Sequence, residues 1–414
     1  MKPLATLVPV ATKPQLSGLA HLRAVSEMCD ATIDEVRGRR IRIGDQWLAD
    51  FASCNYLGLD LDPEIADRIA PEVSRWGTHP SWSRLLGSPR IYLDIEERLS
   101  DLLGAPDTLV LPTITQIHLS VLPALAGDGQ IFMESTAHKT IYDGCVMSRG
   151  LGASVQRFHD LTELADLLRR APAHETRLIC MDGVNSMTGN IPELGEYVAL
   201  AREHGARLYV DDAHGFGVIG ERSDQESSPY GQRGNSIVRH TAQSYDDIIL
   251  VGGFSKAYSS LLAFIALPTA LKDHLKLAAA PYLYSGPSPT ASLATVMAGF
   301  DVNEVRGDRL RADLHDKTRR VLNLLEHRNV YTPNTSGLPI IELPLATGMS
   351  IEEVGAILFR KGIYVTLAAY PLVPRDQVGF RVQITAANQD DEIDELCAVL
   401  DGLADAELLR RRDE

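Results

Sequence analysis

The stretch ARLYVDDAHGFGVIG (Ala206–Gly220) sets an apolar run, Leu208-Tyr209-Val210, directly before two carboxylates, an imidazole and three glycines. A run this short and this continuous reads as a strand, and its lack of alternation says that both faces are covered. Before it lies ELGEYVALAREHG (Glu193–Gly205), with helical spacing, and before that TRLICMDGV (Thr176–Val184), a second apolar strand. After it, DDIILVGGFSK (Asp246–Lys256) repeats the strand pattern. Strands of this length alternating with helices form βαβ units and a mainly parallel sheet.

The alternation extends upstream to about Asp94. DIEERLSDLLG is helical and ends at Gly104, DTLVLP is a strand, and TQIHLSVLPALAG is a helix. QIFME and ASVQRF are strands, separated by the helix HKTIYDGCVMSRG and followed by the helix DLTELADLLRRA. From about Pro287 the pattern changes. One long helical stretch, Ser288 to Asn329, leads to a smaller α+β section. Its strands are LPIIELPL, GIYVTLAAYPLV and FRVQIT, and its covering helices IEEVGAILFRKG and DDEIDELCAVLDGLADAELL. Ahead of the alternating region, residues from Gln15 to Asp50 read as an amphipathic helix and a hairpin turning at Gly44-Asp45, and a further helix starts at Asp62-Pro63. The expected division is an N-terminal arm (1–55), a large α/β domain (56–290) and a small C-terminal domain (291–414). Gly220 to Asn235, rich in Gly, Ser and Gln, reads as a surface loop.

Composition narrows the function. A chain of 414 residues is expected to hold two domains, and 45% hydrophobic with 23% charged residues is ordinary for a globular enzyme. A net charge of −15 argues against nucleic acid or an anionic membrane as the main partner. The five cysteines are scattered with no C-x-x-C pair, which fits neither a disulfide framework nor a zinc site and points to a reducing, cytoplasmic setting. The first residues are broken by prolines and lack a signal peptide's apolar core, and no apolar run approaches the ~20 residues of a membrane span.

Ligands of open α/β sheets bind beyond the carboxyl ends of the strands. Five strand ends carry chemistry here: Asp211 and His214; Asn185 and Ser186; His138; Thr113, Ile114 and Thr115; and Lys256. Lys256, in GGFSKAYSS, is either a solvated loop residue or a desolvated amine suited to Schiff-base chemistry with pyridoxal phosphate. That cofactor needs an acid against its pyridine nitrogen, and Asp211 at the end of a buried strand suits it. Its phosphate needs a helix N-terminus, which the turn PTITQ offers, although Thr113 is equally an ordinary N-cap. His138 is either a ring-stacking proton relay or a structural histidine. His214 and Ser186 are placed to donate to the cofactor's phenolic oxygen.

In order along the chain, NYLGL, AHKTIYDG, DGVNSMTGNIPEL, YVDDAHGFGVIG, GGFSKAYSS and PLVPRDQVGFRVQIT resemble the α-oxoamine synthases, from about residue 20 to 400. The resemblance implies a fold-type I pyridoxal-phosphate transferase, with a large parallel-sheet domain and a smaller α+β domain. It implies that Lys256 carries the cofactor, Asp211 faces the ring nitrogen, His138 stacks on the ring, and Ser186 and His214 stand near the phenolic oxygen. Asn55 and Arg381 would hold an amino-acid carboxylate, with Ser83 at the acyl entrance. Thr113, Ile114, Thr115 and Ser255 would line the phosphate cup. The family's homodimer has its site at the interface, so Ser285 and Gly286 would reach the neighbouring subunit's phosphate. The implied reaction condenses an α-amino acid with an acyl thioester, on CoA or an acyl carrier protein, with decarboxylation to an α-amino ketone.

Departures from the family pattern are equally specific. Gly253 stands where relatives have a phosphate-contacting threonine, and Thr113-Ile114-Thr115 replaces Ser-Gly-aromatic. In GTHPSWSRLLGS (Gly77–Ser88), His79, Pro80 and Trp82 replace small residues, while Thr78, Ser83 and Arg84 are kept; Tyr92 stands where His is frequent. A second reading therefore keeps the cofactor and drops the thioester, giving an aminotransferase, a lyase or another C–C bond-forming enzyme. A third, a non-catalytic partner subunit, would be expected to have lost Lys256 or Asp211.

Overall fold

The computed structural model describes residues 14–172, 175–223 and 228–413; part of the expected Gly220–Asn235 loop lies outside them. The chain begins with α1 (Pro14–Val25), β1 (Glu35–Arg37), β2 (Arg40–Ile43), β3 (Gln46–Asp50), α2 (Pro63–Trp76) and α3 (Arg90–Leu103). The alternating region runs β4 (Asp107–Leu111), α4 (Ile114–Ala126), β5 (Gln130–Glu134), α5 (Lys139–Gly150), β6 (Ser154–Phe158), α6 (Leu161–Arg170), β7 (Arg177–Asp182), α7 (Leu194–Glu203) and β8 (Arg207–Asp211). It continues through α8 (Ser236–His240), β9 (Ile248–Gly253), β10 (Ala263–Leu267), α9 (Thr269–Ala278) and α10 (Ala280–Leu283). The remainder is α11 (Thr290–His327), β11 (Ile340–Pro344), α12 (Ile351–Arg360), β12 (Ile363–Tyr364), β13 (Thr366–Ala368), β14 (Gly379–Gln383) and α13 (Asp390–Asp405).

Among the described residues, seven strands form the large sheet in the order β4-β10-β9-β8-β7-β5-β6. The pairs β5–β6, β5–β7, β7–β8 and β8–β9 are parallel, as the βαβ pattern requires. β10 is the exception. It runs antiparallel to both β4 and β9, so the sheet is mainly rather than wholly parallel. The sequence reading left AFIAL unassigned; it is β10, and the chain turns straight back into it from β9 through the segment that carries Lys256. β7, β9 and β10 are buried at every position, which explains their unbroken apolar runs. Each fully buried Val, Leu, Ile or Phe contributes about 1.5–3 kcal/mol.

The expected N-terminal hairpin is a three-stranded meander, turning at Gly38 and Gly44, which have φ of +59° and +58°. β12 adds to it, parallel to β3, with Ile363 opposite Ala49 and Tyr364 opposite Asp50. The N-terminal arm and the C-terminal section thus share one sheet. β11, β14 and β13 form another small sheet, in which Arg381 lies opposite both Glu342 and Thr366. The 38-residue α11 joins the large and small parts. No helix among the described residues is long and apolar enough to cross a membrane, and the five cysteines are unpaired.

Candidate active site

A cavity of about 350 Å³ opens beyond the carboxyl ends of the large sheet. Thr113, Ile114, Thr115, His138, Ser186, Asp211, His214, Ser255 and Lys256 all line it, joined by Asp182. Nine residues singled out from five strand ends therefore meet in one place.

The turn after β9 explains how Lys256 gets there. Phe254 and Tyr258, two residues either side of it, are fully buried and packed edge to face with ring centroids 5.4 Å apart. Phe216 stacks on Tyr258 at 5.2 Å and meets Phe264 at 4.8 Å. Backbone bonds from Phe254 N to Leu262 O and from Ser260 N to Phe254 O close the turn. With its neighbours anchored below, the lysine is directed at the cavity. Burial lowers its pKa below the ordinary lysine value, opposed by Asp211, Cys54 and Asp182, with Arg381 pushing the same way as burial.

Asp211 ends β8 and is 5% exposed. Its Oδ1 accepts from the Ala213 N–H at 3.0 Å, and its Oδ2 lies 2.9 Å from Nε2 of His118. Burial alone would raise its pKa, but the hydrogen bond to His118, then Lys256 and His138, outweigh it and hold the carboxyl below its usual range. Asp182, opposite it on β7, behaves in the reverse sense. Burial and the charge of Asp211 push its pKa well up, and its Oδ2 is buried without a partner. Asp212 accepts from Ile237 N at 2.9 Å and is pushed by burial to about 8, so the two adjacent aspartates are shifted in opposite directions.

His214 is 7% exposed, and its Nδ1 lies 2.7 Å from the Tyr56 hydroxyl. Burial first, then Lys256, Arg381 and His138, drive its pKa well below the ordinary value, so the ring is neutral. Burial also keeps the Tyr56 hydroxyl protonated. The Tyr56 hydroxyl carries one hydrogen and stands between two groups: Gln383 Oε1 can only accept it, whereas His214 Nδ1 can accept it or donate in return. Tyr56 OH also lies 3.3 Å from Gln383 Oε1, which accepts from Cys54 Sγ at 2.6 Å. His138 caps α5, its Nδ1 accepting from Thr140 N at 3.4 Å, while its own N–H donates to Asp182 at 2.9 Å. It is a helix cap and a cavity residue at once.

At the other end of the cavity Thr113 caps α4, its hydroxyl accepting from Gln116 N at 3.2 Å. The N–H groups of Ile114 and Thr115 have no acceptor within the helix and mark an anion-binding terminus. A methyl group placed on Gly253 would come within 2.5 Å of Ile114 Cδ1. The two departures from the family pattern are therefore one: Ile114 fills the space that a side chain at 253 would need. Gly253→Thr alone is expected to destabilise the protein by about 1–3 kcal/mol through overpacking and to bring no gain in cofactor affinity. Adding Ile114→Ala should recover both in parallel thermal melts and cofactor titrations. Identical melts for the single and double variants would contradict the pairing.

Arg381 reaches across from β14, its Nη1 donating to the Ser186 carbonyl at 2.8 Å, and its Nε is buried without a partner. Its register neighbour Glu342 is pushed by burial to about 7, against the pull of Arg381. Asn55 is not brought to the cavity, because its amide donates to Asp60 at 3.0 Å. Ser83 is half-buried away from it, and the adjoining Arg84 is taken up by Glu96 at 2.7 Å, the Val110 carbonyl and the rings of Tyr92 and Tyr282. Ser285 and Gly286 lie outside this chain's cavity, with Gly286 beside His79. The sequence reading passed over Tyr56, His118 and Asp182. His118 left a signal, since it interrupts the apolar stripe Ile117-Val121-Leu122 of α4, and a polar residue there needs partners.

A model of the class I and II aminotransferases matches residues 49–400. The 8-amino-7-oxononanoate synthase of Chromohalobacter salexigens is 36% identical over 360 residues, covering 86% of this chain and 88% of that protein. An enzyme of the same name from Burkholderia pseudomallei is 31% identical over 97% of this chain and 98% of its own length. Among solved structures, serine palmitoyltransferase of Sphingomonas wittichii superposes with a TM-score of 0.85 at 25% identity, covering 96% of this chain and 98% of that one.

Proposed function

This chain belongs to the class I and II aminotransferase family, in its α-oxoamine synthase branch, and we propose that it condenses an α-amino acid with an acyl thioester, releasing CO2 and an α-amino ketone. The enzymes of this branch use pyridoxal 5′-phosphate, and the residues present fit that group. An amine with a lowered pKa, an ionised buried carboxylate and a helix start with free N–H groups face one cavity. That juxtaposition is the observation that carries the reading.

Bound there, the cofactor would supply an electron sink for charge developing at the substrate's α-carbon. Asp211 would face the ring nitrogen, and the α4 N-terminus with Thr113, Thr115 and Ser255 would hold the phosphate. Lys256 takes the α-proton, a task that its burial-lowered pKa favours. Arg381, with its unpartnered Nε, takes the amino-acid carboxylate, which orients the bonds at the α-carbon. His214 and His138 both line the cavity, where His214 is placed to hydrogen-bond the cofactor and His138 to donate to the acyl carbonyl. Asn55, turned to Asp60, is left out of carboxylate binding.

The exposed Tyr284 (82%), Leu86 (80%) and Trp82 (57%) flank the segments around Ser285 and Ser83, which supports a homodimer with those segments at the interface. Five unpaired cysteines support a cytoplasmic setting. The test is a screen of amino acids against acyl-CoAs and acyl carrier proteins, following CO2 and free thiol. Equal release of both is expected. Turnover without free thiol would replace this reading with a cofactor reaction that uses no thioester.

A further inference from the structure

Behind Asp211, on the side away from the cavity, stands a closed chain of side chains. His118 is fully buried; its Nε2 lies 2.9 Å from Asp211 Oδ2, and its Nδ1 lies 2.9 Å from the Tyr209 hydroxyl. Tyr209 is fully buried as well, two residues before Asp211 on β8 and packed among apolar side chains with Cys145 and Cys180. We propose that Tyr209 and His118 form a positioning relay that fixes one imidazole tautomer behind Asp211 and thereby keeps this carboxylate ionised and aimed into the cavity. The inference rests on the reading of Asp211 as the partner of the cofactor's ring nitrogen.

Proton accounting gives the relay its direction. The tyrosine hydroxyl, kept protonated by burial, can donate only if Nδ1 accepts. Nε2 then carries the ring's hydrogen and donates to Oδ2. Oδ1 is engaged by Ala213 N, so both carboxylate oxygens are held and rotation of the group is blocked. A proton placed on Oδ2 would face the Nε2–H directly, so the chain favours the anion. The reverse polarity would turn the tyrosine hydrogen toward an apolar wall, leaving a buried donor unmade. His118 and Tyr209 touch neither the cavity nor any group that reacts there, and they act only through Asp211.

The titratable groups around Asp211 are His118 from α4, His138 ahead of α5, Asp182 from β7, Asp212 next to it in the chain, and Lys256. The test is therefore a comparison of variants rather than a single titration. Pyridoxal phosphate dissociation constants are measured from mildly acid to mildly alkaline pH for the wild type, Tyr209→Phe, His118→Phe, His118→Asn and Asp211→Asn, alongside melts of each cofactor-free protein.

Tyr209→Phe removes one oxygen from a site of unchanged shape and is expected to weaken binding by about tenfold. His118→Phe is expected to weaken it by about tenfold to a hundredfold and to move the acid limb of binding toward higher pH. His118→Asn keeps an N–H donor and should return most of the affinity and the position of the limb. A purely structural role would lower the melting temperature and leave the limb where it is; superimposable limbs for the wild type and the His118 and Tyr209 variants overturn the relay. Asp211→Asn separates the two levels. If it binds cofactor as the wild type does, the role assigned to Asp211 fails; if it binds weakly while the relay variants bind normally, only the relay fails.

Discussion

Lys256→Ala is expected to abolish turnover, by on the order of 10⁴-fold or more, because one side chain is assigned both the attachment of the cofactor and the movement of the α-proton. The fold should survive. An amine on the cavity wall with a burial-lowered pKa contributes desolvation cost rather than stability, so the melting temperature of the cofactor-free variant should be unchanged or higher. The wild-type pH profile carries the same signature. A lysine whose pKa is lowered becomes a free base at lower pH than an ordinary one, so activity should rise with pH through a pKa below 10.5. The alanine variant, rescued with a small exogenous amine, should instead follow the pKa of the added amine. Normal turnover in Lys256→Ala would remove the lysine from the chemistry.

Asp211→Asn is expected to have the next largest effect. Removing one member of a buried charge pair costs about 3–5 kcal/mol, which here means cofactor affinity reduced by about two to four orders of magnitude and turnover falling with it. The direction with pH follows from the depressed pKa of the carboxyl. A group ionised more readily in the folded protein contributes stability above its unfolded pKa and loses it as pH falls through the folded value. Wild-type cofactor affinity should therefore persist into acid and then drop, whereas Asp211→Asn should be weak throughout with no such limb. An asparagine variant with the wild-type profile would contradict the assignment.

Much of this was legible in the sequence because helix-covered parallel strands must be apolar along their whole length. TRLICMD, RLYVD and IILVGG could be placed before any coordinates, and with them the chemistry at their carboxyl ends. β10 escaped because AFIAL follows a serine-rich turn, and a five-residue apolar run carries no direction. The union of β3 with β12 escaped for a different reason. A two-residue strand formed 314 positions from its partner leaves no local periodicity. At the site, side-chain identity was readable while orientation was not. Asn55 donates to Asp60 while the next residue, Tyr56, lies against His214, and nothing in their order along the chain tells the two apart. The sequence shows the missing hydroxyl at Gly253 but not that Ile114 occupies the space beside it.

The central claim is that the cavity at the ends of β4, β5, β7, β8 and β9 holds pyridoxal phosphate on Lys256. The most direct measurement is to incubate the protein with the cofactor, fix the bound cofactor with borohydride, digest the chain and locate the added mass. The mass is expected on the peptide spanning GGFSKAYSS, at Lys256 and in about one copy per chain. Its appearance on any other lysine, or none on Lys256 in a cofactor-saturated protein, would contradict the account.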